Sequence, residues 1–407
     1  MPMPTPEDRA SGKAPLGFLV FLALITSVVA LTIDAILPAM DAISADLGFA
    51  RVQDQQLIVL VVFLGLGLGQ PVFGPIADAI GRRKTALIGW VLYCAGAVIA
   101  MTAPGLWGIL LGRFLQGLGA AGPRVVATAI VRDLYEGRAM ARMVSMIMTI
   151  FMAVPMIAPL IGQGLEALGS WRTIFWLYIV IAVGTCAWHL TRIPETLAPE
   201  NRRPLSFKPT IAAFAEVLST RATMCYTLAA GAIFSSFAAM LASAQQIFED
   251  LFALGPLFPI VFAAMAGVFA LGQFTSSRLV MSMGMRRLCR IGAGMVVGAG
   301  LIASLISGLA YGGMPPLWLF MVACTPVFIG AAWLFSNLNA LALEPMGHIA
   351  GTASAVVMSI STLVSVPMGT LIARQVDTTV LPILVGFTIF GALSFILIEA
   401  AEQARKA

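Results

Sequence analysis

Three charged residues lie inside long apolar stretches of this sequence: Asp34, Arg113 and Arg124. A charge at the centre of a membrane helix costs about 2.5–3.5 kcal/mol on insertion scales, so such a residue usually faces a cavity and has a function. A carboxylate in that position can take up and release a proton. An arginine can influence that exchange or bind an anion.

Asp34 and Arg113 are predicted to lie at the same depth. Asp34 is six residues from the outer end of its apolar stretch, and Arg113 is seven residues from the outer end of its own. At about 1.5 Å per residue, both lie roughly 10 Å below the outer surface. We hypothesise that Asp34 carries a proton and that Arg113 controls its protonation, so that substrate and proton compete. The alternative is a permanent ion pair between these two residues that only holds helices together.

Helical periodicity groups these charges with small or polar neighbours. One face of the first predicted helix carries Ala23, Ser27, Ala30 and Asp34. One face of the fourth carries Arg113, Ala120, Arg124 and Ala127. We interpret both faces as walls of a substrate pathway. Arg124 either attracts an anionic or zwitterionic substrate or extends to the inner membrane interface.

The other candidate cavity residues are polar, aromatic or methionine side chains in further apolar stretches: Gln116, Met152, Met156, Trp333, Asn337 and Met358. Trp333 and Asn337 are four residues apart and offer stacking and hydrogen bonds from one helix face. Flexible thioethers suit a surface that binds varied ligands. The alternative for the methionines is that they fill gaps between helices or face lipid.

The elements that must position these residues are membrane-spanning helices. Of the 407 residues, 59% are hydrophobic and 11% are charged, against roughly 45–50% and 25% in soluble domains. Apolar stretches of about 20 residues can cross about 30 Å of hydrocarbon as α-helices. We predict twelve helices, an all-α membrane protein, at 17–40, 55–78, 85–103, 106–131, 140–165, 173–192, 222–245, 258–283, 288–310, 316–343, 350–373 and 380–400.

The positions of lysine and arginine predict the orientation. With the N-terminus inside, 19 of the 24 basic residues fall in cytoplasmic segments, as expected for residues that resist translocation. This places both termini in the cytoplasm and predicts a multi-pass protein of a bacterial inner (plasma) membrane, with its first helix retained. The net charge of +5 therefore reflects topology, and no nucleic-acid partner is predicted.

Several other classes of protein are excluded by what the sequence lacks. Only two histidines occur, His189 and His348, and neither has a catalytic triad context. The five cysteines are scattered singly, so no metal site is predicted. No Walker-type phosphate loop is present. We predict that the protein is not an enzyme and needs no cofactor.

The chain is predicted to consist of two similar halves. Gly69 precedes Gly81 by the same spacing as Gly272 precedes Gly284, and basic residues follow both. We predict a cytoplasmic tail (1–14), an N-terminal six-helix bundle (15–192), a cytoplasmic linker (193–221), a C-terminal six-helix bundle (222–400) and a second tail (401–407). Parallel repeats of this kind imply two bundles related by a pseudo-two-fold axis along the membrane normal, with substrate bound near the midplane.

Several motifs resemble those of the major facilitator superfamily. Its loop motif G-x-L-A-D-x-x-G-R-R-x matches residues 74–84, with Ile76 in place of leucine. The fourth-helix motif of its drug/proton antiporters, R-x-x-Q-G-x-G-A-A, matches residues 113–121. Residues 31–38 resemble the first-helix motif with its membrane aspartate, and residues 158–164 a degenerate form of the fifth-helix antiporter motif. Residues 344–354 are similar to the bicyclomycin-resistance branch.

This resemblance implies a cytoplasmic gate at the loop motif. In the family the aspartate that matches Asp78 helps to latch the two halves, with a helix N-terminus or an arginine of the other half as its partner. The candidate gate residues are Gly74, Asp78, Gly81, Arg82 and Arg83. A bend in the fifth helix, which would suit rocking of one half against the other, is predicted from Pro155, Pro159 and Gly162.

The predicted function is proton-coupled efflux, by antiport, of small amphipathic compounds or drugs through alternating access. The alternative is a dedicated proton-coupled transporter of a metabolite such as an amino acid or an organic anion. The expected partners are a small-molecule substrate, protons and the lipid bilayer, and the chain is expected to act as a monomer.

Overall fold

The computed structural model describes residues 3–5, 8, 13–202 and 204–406. Most of the predicted tail 1–14, with Arg9, lies outside the described residues, and so does Arg203 of the linker. Across the described ranges every regular element is a helix and no strand occurs. The predicted all-α class is confirmed.

Twelve long helices account for most of the described chain. They are α1 (Leu16–Asp34), α2 (Gln56–Ile80), α3 (Arg82–Met101), α4 (Leu106–Leu134), α5 (Gly137–Ala167), α6 (Arg172–Arg192), α7 (Arg221–Ala242), α8 (Phe258–Met283), α9 (Met285–Tyr311), α10 (Leu317–Leu343), α11 (Ala350–Ala373) and α12 (Leu381–Lys406). Eleven stretches of the described chain are long and apolar enough to span a membrane, and one of them, Leu317–Ala373, contains both α10 and α11. A short 3₁₀ turn, Glu344–Ile349, separates these two helices.

The first helix ends earlier than predicted. The α-helix stops at Asp34, a 3₁₀ turn covers Leu37–Ala39, and a second short helix covers Met40–Leu47. The cause is Pro38, which has no N–H to donate and whose ring clashes with the carbonyl four residues earlier, at Asp34. The break therefore places Asp34 at a helix end inside the apolar stretch.

Other boundaries also differ from the prediction. The predicted linker contains a helix, Lys208–Ser219, and α12 continues through residues that were predicted to form the C-terminal tail. The fifth helix, predicted over 140–165, is α5 (Gly137–Ala167), a few residues longer, and it includes Pro155 and Pro159. These differences leave the number and order of the long helices as predicted.

The chain divides into two compact units. Unit 1 contains the residues up to Gly48 together with Leu64–Lys208, and unit 2 contains Phe49–Phe63 together with the chain from Pro209 onwards. The division falls inside α2, so the first part of that helix groups with unit 2. In unit 2, α7 packs against α10, α11 and α12, and α9 packs against α10 and α12.

In unit 1, α3 and α4 pack closely along their lengths, and glycines make this approach possible. A Cβ atom added to Gly96 would lie 2.6 Å from the backbone oxygen of Gly112, and one added to Gly119 would lie 2.4 Å from the backbone nitrogen of Tyr93. Small residues of this kind let membrane helices pack backbone to backbone. The contact places the Tyr93 backbone against Gly119 of α4.

Candidate functional site

Asp34 lies at the break in α1, and its side chain is 3% exposed. In the described part of the chain, its carboxylate forms no salt bridge and no hydrogen bond. The permanent ion pair with Arg113, the alternative considered for these two residues, is therefore not formed in this structure.

Arg113 instead binds the end of the helix that carries Asp34. The Arg113 side chain is fully buried; its Nη2 donates to the carbonyl oxygen of Thr32 at 2.7 Å, and its Nη1 donates to Oε1 of Gln116 at 3.0 Å. The last carbonyls of a helix have no partner within the helix and carry partial negative charge. Arg113 thus caps the broken end of α1, two residues before Asp34.

Two tyrosines complete this cap. The Tyr178 hydroxyl donates to the Thr32 carbonyl at 3.2 Å, and its ring centroid lies 5.9 Å from the Arg113 guanidinium carbon. Because the Thr32 hydroxyl donates to Val28 at 2.6 Å, the Tyr93 hydroxyl at 2.6 Å must donate to Thr32. Sequence reasoning missed both tyrosines, although buried tyrosine hydroxyls usually need a partner.

The break in α1 also contacts α5. A Cβ atom at Gly162 would lie 1.8 Å from the carbonyl oxygen of Ala35, the residue after Asp34. Real non-bonded atoms do not approach so closely, so the contact requires glycine at this position. Gly162 therefore positions the Asp34 segment, in addition to any bend it allows in α5.

The other predicted cavity residues of unit 1 lie in varied surroundings. Ser27 and Gln116 are buried, and in the described residues neither the Ser27 hydroxyl oxygen nor the Gln116 amide nitrogen has a hydrogen-bond partner. Unpaired buried polar atoms are rare and costly, so these two are candidates to bind a ligand. Met152, Met156 and Arg124 are half-buried.

In unit 2, the predicted polar face of α10 is used to join helices. The indole nitrogen of Trp333 donates to the Thr275 hydroxyl at 3.0 Å, and the Asn337 amide nitrogen donates to the Ser276 hydroxyl at 2.9 Å. Both acceptors belong to α8. The polar atoms predicted to face a substrate are thus engaged between α8 and α10. Met358 is half-buried on α11.

An aromatic cluster in unit 2 was not predicted. Its ring centroids are 4.9–6.4 Å apart, and its members are Phe234, Phe237, Phe269, Phe328 and Phe335. All except Phe328 are partly exposed. The chain has 24 phenylalanines, so their spacing gives no signal that singles out these five.

The loop between α2 and α3 is held by ion pairs within unit 1. Arg82 is 2% exposed and donates to Asp78 at 2.7 Å and to Asp133, at the end of α4, at 2.9 and 3.1 Å. Asp78 thus pairs with an arginine of its own loop, whereas a helix N-terminus or an arginine of the other half had been expected. Arg83 donates to the carbonyl of Leu190.

Glu195, which was not predicted, caps the start of α3. Its carboxylate accepts hydrogen bonds from the backbone nitrogens of Arg82 at 2.9 Å and Arg83 at 3.2 Å. Gly81 has φ +97°, and a Cβ atom there would lie 2.4 Å from Oε2 of Glu195. The second glycine of the loop motif is therefore favoured by its left-handed conformation, and a methyl group there would displace the Glu195 carboxylate. At Gly74 an added Cβ would meet nothing within 4 Å.

Replacing Glu195 with glutamine is expected to lower the apparent Tm of the purified protein by about 2 °C. The variant loses a negative charge and one of two acceptor oxygens at a helix N-terminus, worth about 1 kcal/mol. Thermal unfolding in detergent measures the change. Glu200→Gln, at an exposed position in the same segment, is the control, and equal shifts for the two variants would contradict the capping role.

Unit 2 repeats this local arrangement at the predicted echo of the loop. Gly284 has φ +77°, and Arg286 two residues later pairs with Glu344 at the end of α10. The Nε of Arg286 also lies 2.9 Å from Oε1 of Glu402, without the alignment of a hydrogen bond. In each unit an arginine that follows the glycine pairs with an acidic residue at the end of another helix. In unit 1 this residue is Asp133 of α4, and in unit 2 it is Glu344 after α10.

The start of α2 is fixed within unit 2 by buried glutamines. The Gln56 amide donates to Oε1 of Gln246 at 2.9 Å, and the Gln246 amide donates to the carbonyl of Val376 at 3.1 Å. Gln56 is 2% exposed and Gln246 is 5% exposed. Nearby, Arg374 lies 3.5 Å from Asp54. This contact was not predicted; the sequence feature that could have indicated it is the pair of adjacent glutamines at 55–56 and again at 245–246.

Comparison with known proteins identifies the family of this chain. The model of the Major Facilitator Superfamily matches residues 22–369. The chain is 28% identical over 396 residues to an uncharacterized MFS-type transporter, YdgK, of Bacillus subtilis, covering 95% of this chain and 96% of the relative. It is 26% identical over 376 residues to a bicyclomycin resistance protein homolog of Haemophilus influenzae, covering 91% and 92%.

A third relative and a solved structure agree with these matches. The chain is 30% identical over 355 residues to a chloramphenicol resistance protein of Pseudomonas aeruginosa, covering 84% of this chain and 80% of the relative. The crystal structure of a D-xylose–proton symporter shares the fold with a TM-score of 0.73 at 14% identity, covering 95% of this chain and 97% of that chain. The resemblance of the sequence motifs is confirmed. The chain belongs to the major facilitator superfamily and is a multi-pass membrane transporter of small molecules, not an enzyme.

Proposed function

We propose that this transporter exports small amphipathic compounds or drugs in exchange for protons. The names of its relatives support the substrate class, because a bicyclomycin resistance protein homolog and a chloramphenicol resistance protein both match most of the chain. The distribution of basic residues supports a topology with both termini in the cytoplasm. The location that fits this topology is a bacterial inner membrane.

The observation that carries the proposal is the buried Asp34 carboxylate without an ion partner. A carboxylate buried without a cation is costly in its ionised form, so its ionisation is tied to whether water or a cation reaches it. The cap formed by Arg113 and Tyr178 on the Thr32 carbonyl holds the end of α1, and Asp34 with it, at the break. When the site opens first to one side of the membrane and then to the other, Asp34 can take up a proton from one side and release it to the other.

In the proposed cycle, Asp34 takes up a proton when the site is open to the outside and releases it when the site is open to the cytoplasm. Substrate binding and protonation exclude each other at this site, with Ser27 and Gln116 as further polar contacts. The loop at 74–83 acts as part of the cytoplasmic gate. The Asp78 side chain is 39% exposed, which leaves it accessible to a second partner while it pairs with Arg82.

Asp34→Asn is expected to abolish accumulation driven by a pH gradient. One pH unit is worth about 1.4 kcal/mol per proton, so a carrier exchanging one proton can concentrate substrate up to about tenfold. Labelled chloramphenicol in proteoliposomes, with pH gradients of both signs, measures this accumulation and its direction.

The matched control is Asp41→Asn, an exposed aspartate seven residues along the chain, which should accumulate substrate like the wild type. Accumulation by Asp34→Asn equal to the wild type would refute the carrier role. Accumulation that follows the opposite gradient would show import. Arg124 is the observation that favours the second candidate, a dedicated transporter of a metabolite such as an amino acid or an organic anion.

A further inference from the structure

Arg124 lies on the buried face of α4. It is eleven residues from Arg113, nearly three whole helical turns, so the two arginines share a face. It is ten residues before Leu134, the last residue of α4, which places it about 15 Å along the axis from that end. The position is therefore inside the span, eight residues before the next basic residue of α4, Arg132.

Exposure changes at this one position of the face. The neighbours on the same face, Arg113, Ala120, Ala127 and Val131, are all buried, whereas Arg124 is partly exposed. Thr128, one turn further along α4, is also exposed, whereas Leu111, which is 53% exposed, lies on another side of the helix. This side of α4 is therefore accessible at Arg124 and Thr128, and the residues one turn to either side of Arg124 on its own face, Ala120 and Ala127, are small.

Arg124 also lacks the kind of partner that three other arginines of the helices have. Arg113 binds the Thr32 carbonyl, Arg82 binds two aspartates and Arg286 pairs with Glu344. In the part of the chain that the structure describes, the Arg124 side chain makes no hydrogen bond or salt bridge. A charge inside the membrane without a partner is costly, so such a residue is retained where it has a function.

We propose that Arg124 binds an anionic oxygen group, a carboxylate, on the transported substrate. This rests on the proposed function and narrows its substrates to compounds that include carboxylates and zwitterions. The guanidinium matches a carboxylate geometrically through two parallel N–H donors. A lipid phosphate at the inner interface is the other source of the same chemistry, and the experiment separates the two.

The test compares two dyes that differ only at one carboxyl group. Rhodamine 110 carries a free carboxylate, and rhodamine 123 is its methyl ester. Binding of each dye to the purified wild type, Arg124→Gln and Arg124→Lys is measured by fluorescence anisotropy in nanodiscs of phosphatidylcholine, with and without phosphatidylglycerol. In Arg124→Gln, the Kd of rhodamine 110 relative to that of rhodamine 123 is expected to rise by about tenfold. This is about the contribution of one charge-assisted hydrogen bond. Arg124→Lys should retain most of the preference.

A Kd ratio that is the same in Arg124→Gln and the wild type would overturn the inference, and so would failure of the wild type to bind rhodamine 110. A second outcome would also overturn the inference and would assign Arg124 to lipid binding. In that outcome phosphatidylglycerol raises the Tm of the wild type but not of Arg124→Gln, and the Kd ratio is the same in both. Flux of rhodamine 123 driven by a pH gradient tests the proposed function separately. Absence of this flux in the wild type would count against proton-coupled export of such dyes, whereas the Kd comparison alone decides the role of Arg124.

Discussion

Replacing Gly162 with alanine is expected to lower transport by at least about 100-fold, because the new methyl group would overlap the backbone of α1. The added Cβ would lie 1.8 Å from the Ala35 carbonyl oxygen and 2.8 Å from its carbonyl carbon. Relief requires a shift of backbone in α1 or α5, since no flexible side chain is available to move. That shift would displace Asp34, the adjacent residue, and the carbonyl of Thr32 that Arg113 and Tyr178 bind.

The matched control is Gly164→Ala, two residues along α5, where an added Cβ meets nothing within 4 Å. Both substitutions improve helix propensity by about 1 kcal/mol, so propensity alone predicts the same effect for both. Flux driven by a pH gradient, normalised to the amount of monodisperse protein, separates loss of function from loss of folding. Equal flux in the two variants would show that the contact between α5 and the break in α1 is not needed.

The effect of Gly162 could not have been predicted from its neighbours in the sequence. The motif resemblance drew attention to Gly162, but as part of a bend with Pro155 and Pro159. Its contact with Ala35 depends on how α5 packs against α1, which is tertiary information. By contrast, the break in α1 could have been predicted from Pro38, which cannot donate to the carbonyl of Asp34, although one continuous helix was predicted over 17–40.

The charged residues of the site were found because charge is rare in apolar helices. Asp34 and Arg113 stand out by composition alone, and their equal depth suggested a direct ion pair as one possibility. The structure gives Arg113 a different partner, the Thr32 carbonyl, since a helix end offers partial negative charge that no residue type signals. Tyr93 and Tyr178 were missed for a related reason, because their acceptors, the hydroxyl and the backbone carbonyl of Thr32, lie on a helix distant in sequence.

The repeated loop shows the same limit. The two glycines, Gly81 and Gly284, were predicted to be equivalent and both have positive φ. Their acidic partners were not predicted, because Asp133, Glu195 and Glu344 read as ordinary solvated charges near helix ends. Only packing shows that each lies beside an arginine of the loop.

Arg113→Lys is expected to lower flux driven by a pH gradient by about 100-fold, although the positive charge is kept. The guanidinium reaches the Thr32 carbonyl at 2.7 Å and Gln116 at 3.0 Å with two different nitrogens. A lysine ammonium has a single nitrogen and no planar face to stack near Phe175 and Tyr178. One lost hydrogen bond to a charged group is worth about 1.5–3 kcal/mol, which corresponds to about 10- to 100-fold.

This substitution separates two roles for Arg113. If the arginine acts on Asp34 only as a nearby charge, lysine should support wild-type flux; if it holds the end of α1 in place, lysine should fail. Arg132→Lys is the control, because Arg132 is on the same helix, is 50% exposed and lies 3.9 Å from Asp78. An exposed ion pair at that distance contributes about 0–1 kcal/mol, so flux should stay within about threefold. Because α1 is broken immediately after Asp34, we expect the geometric role to dominate, with the carboxylate held in place by the arginine that caps its helix.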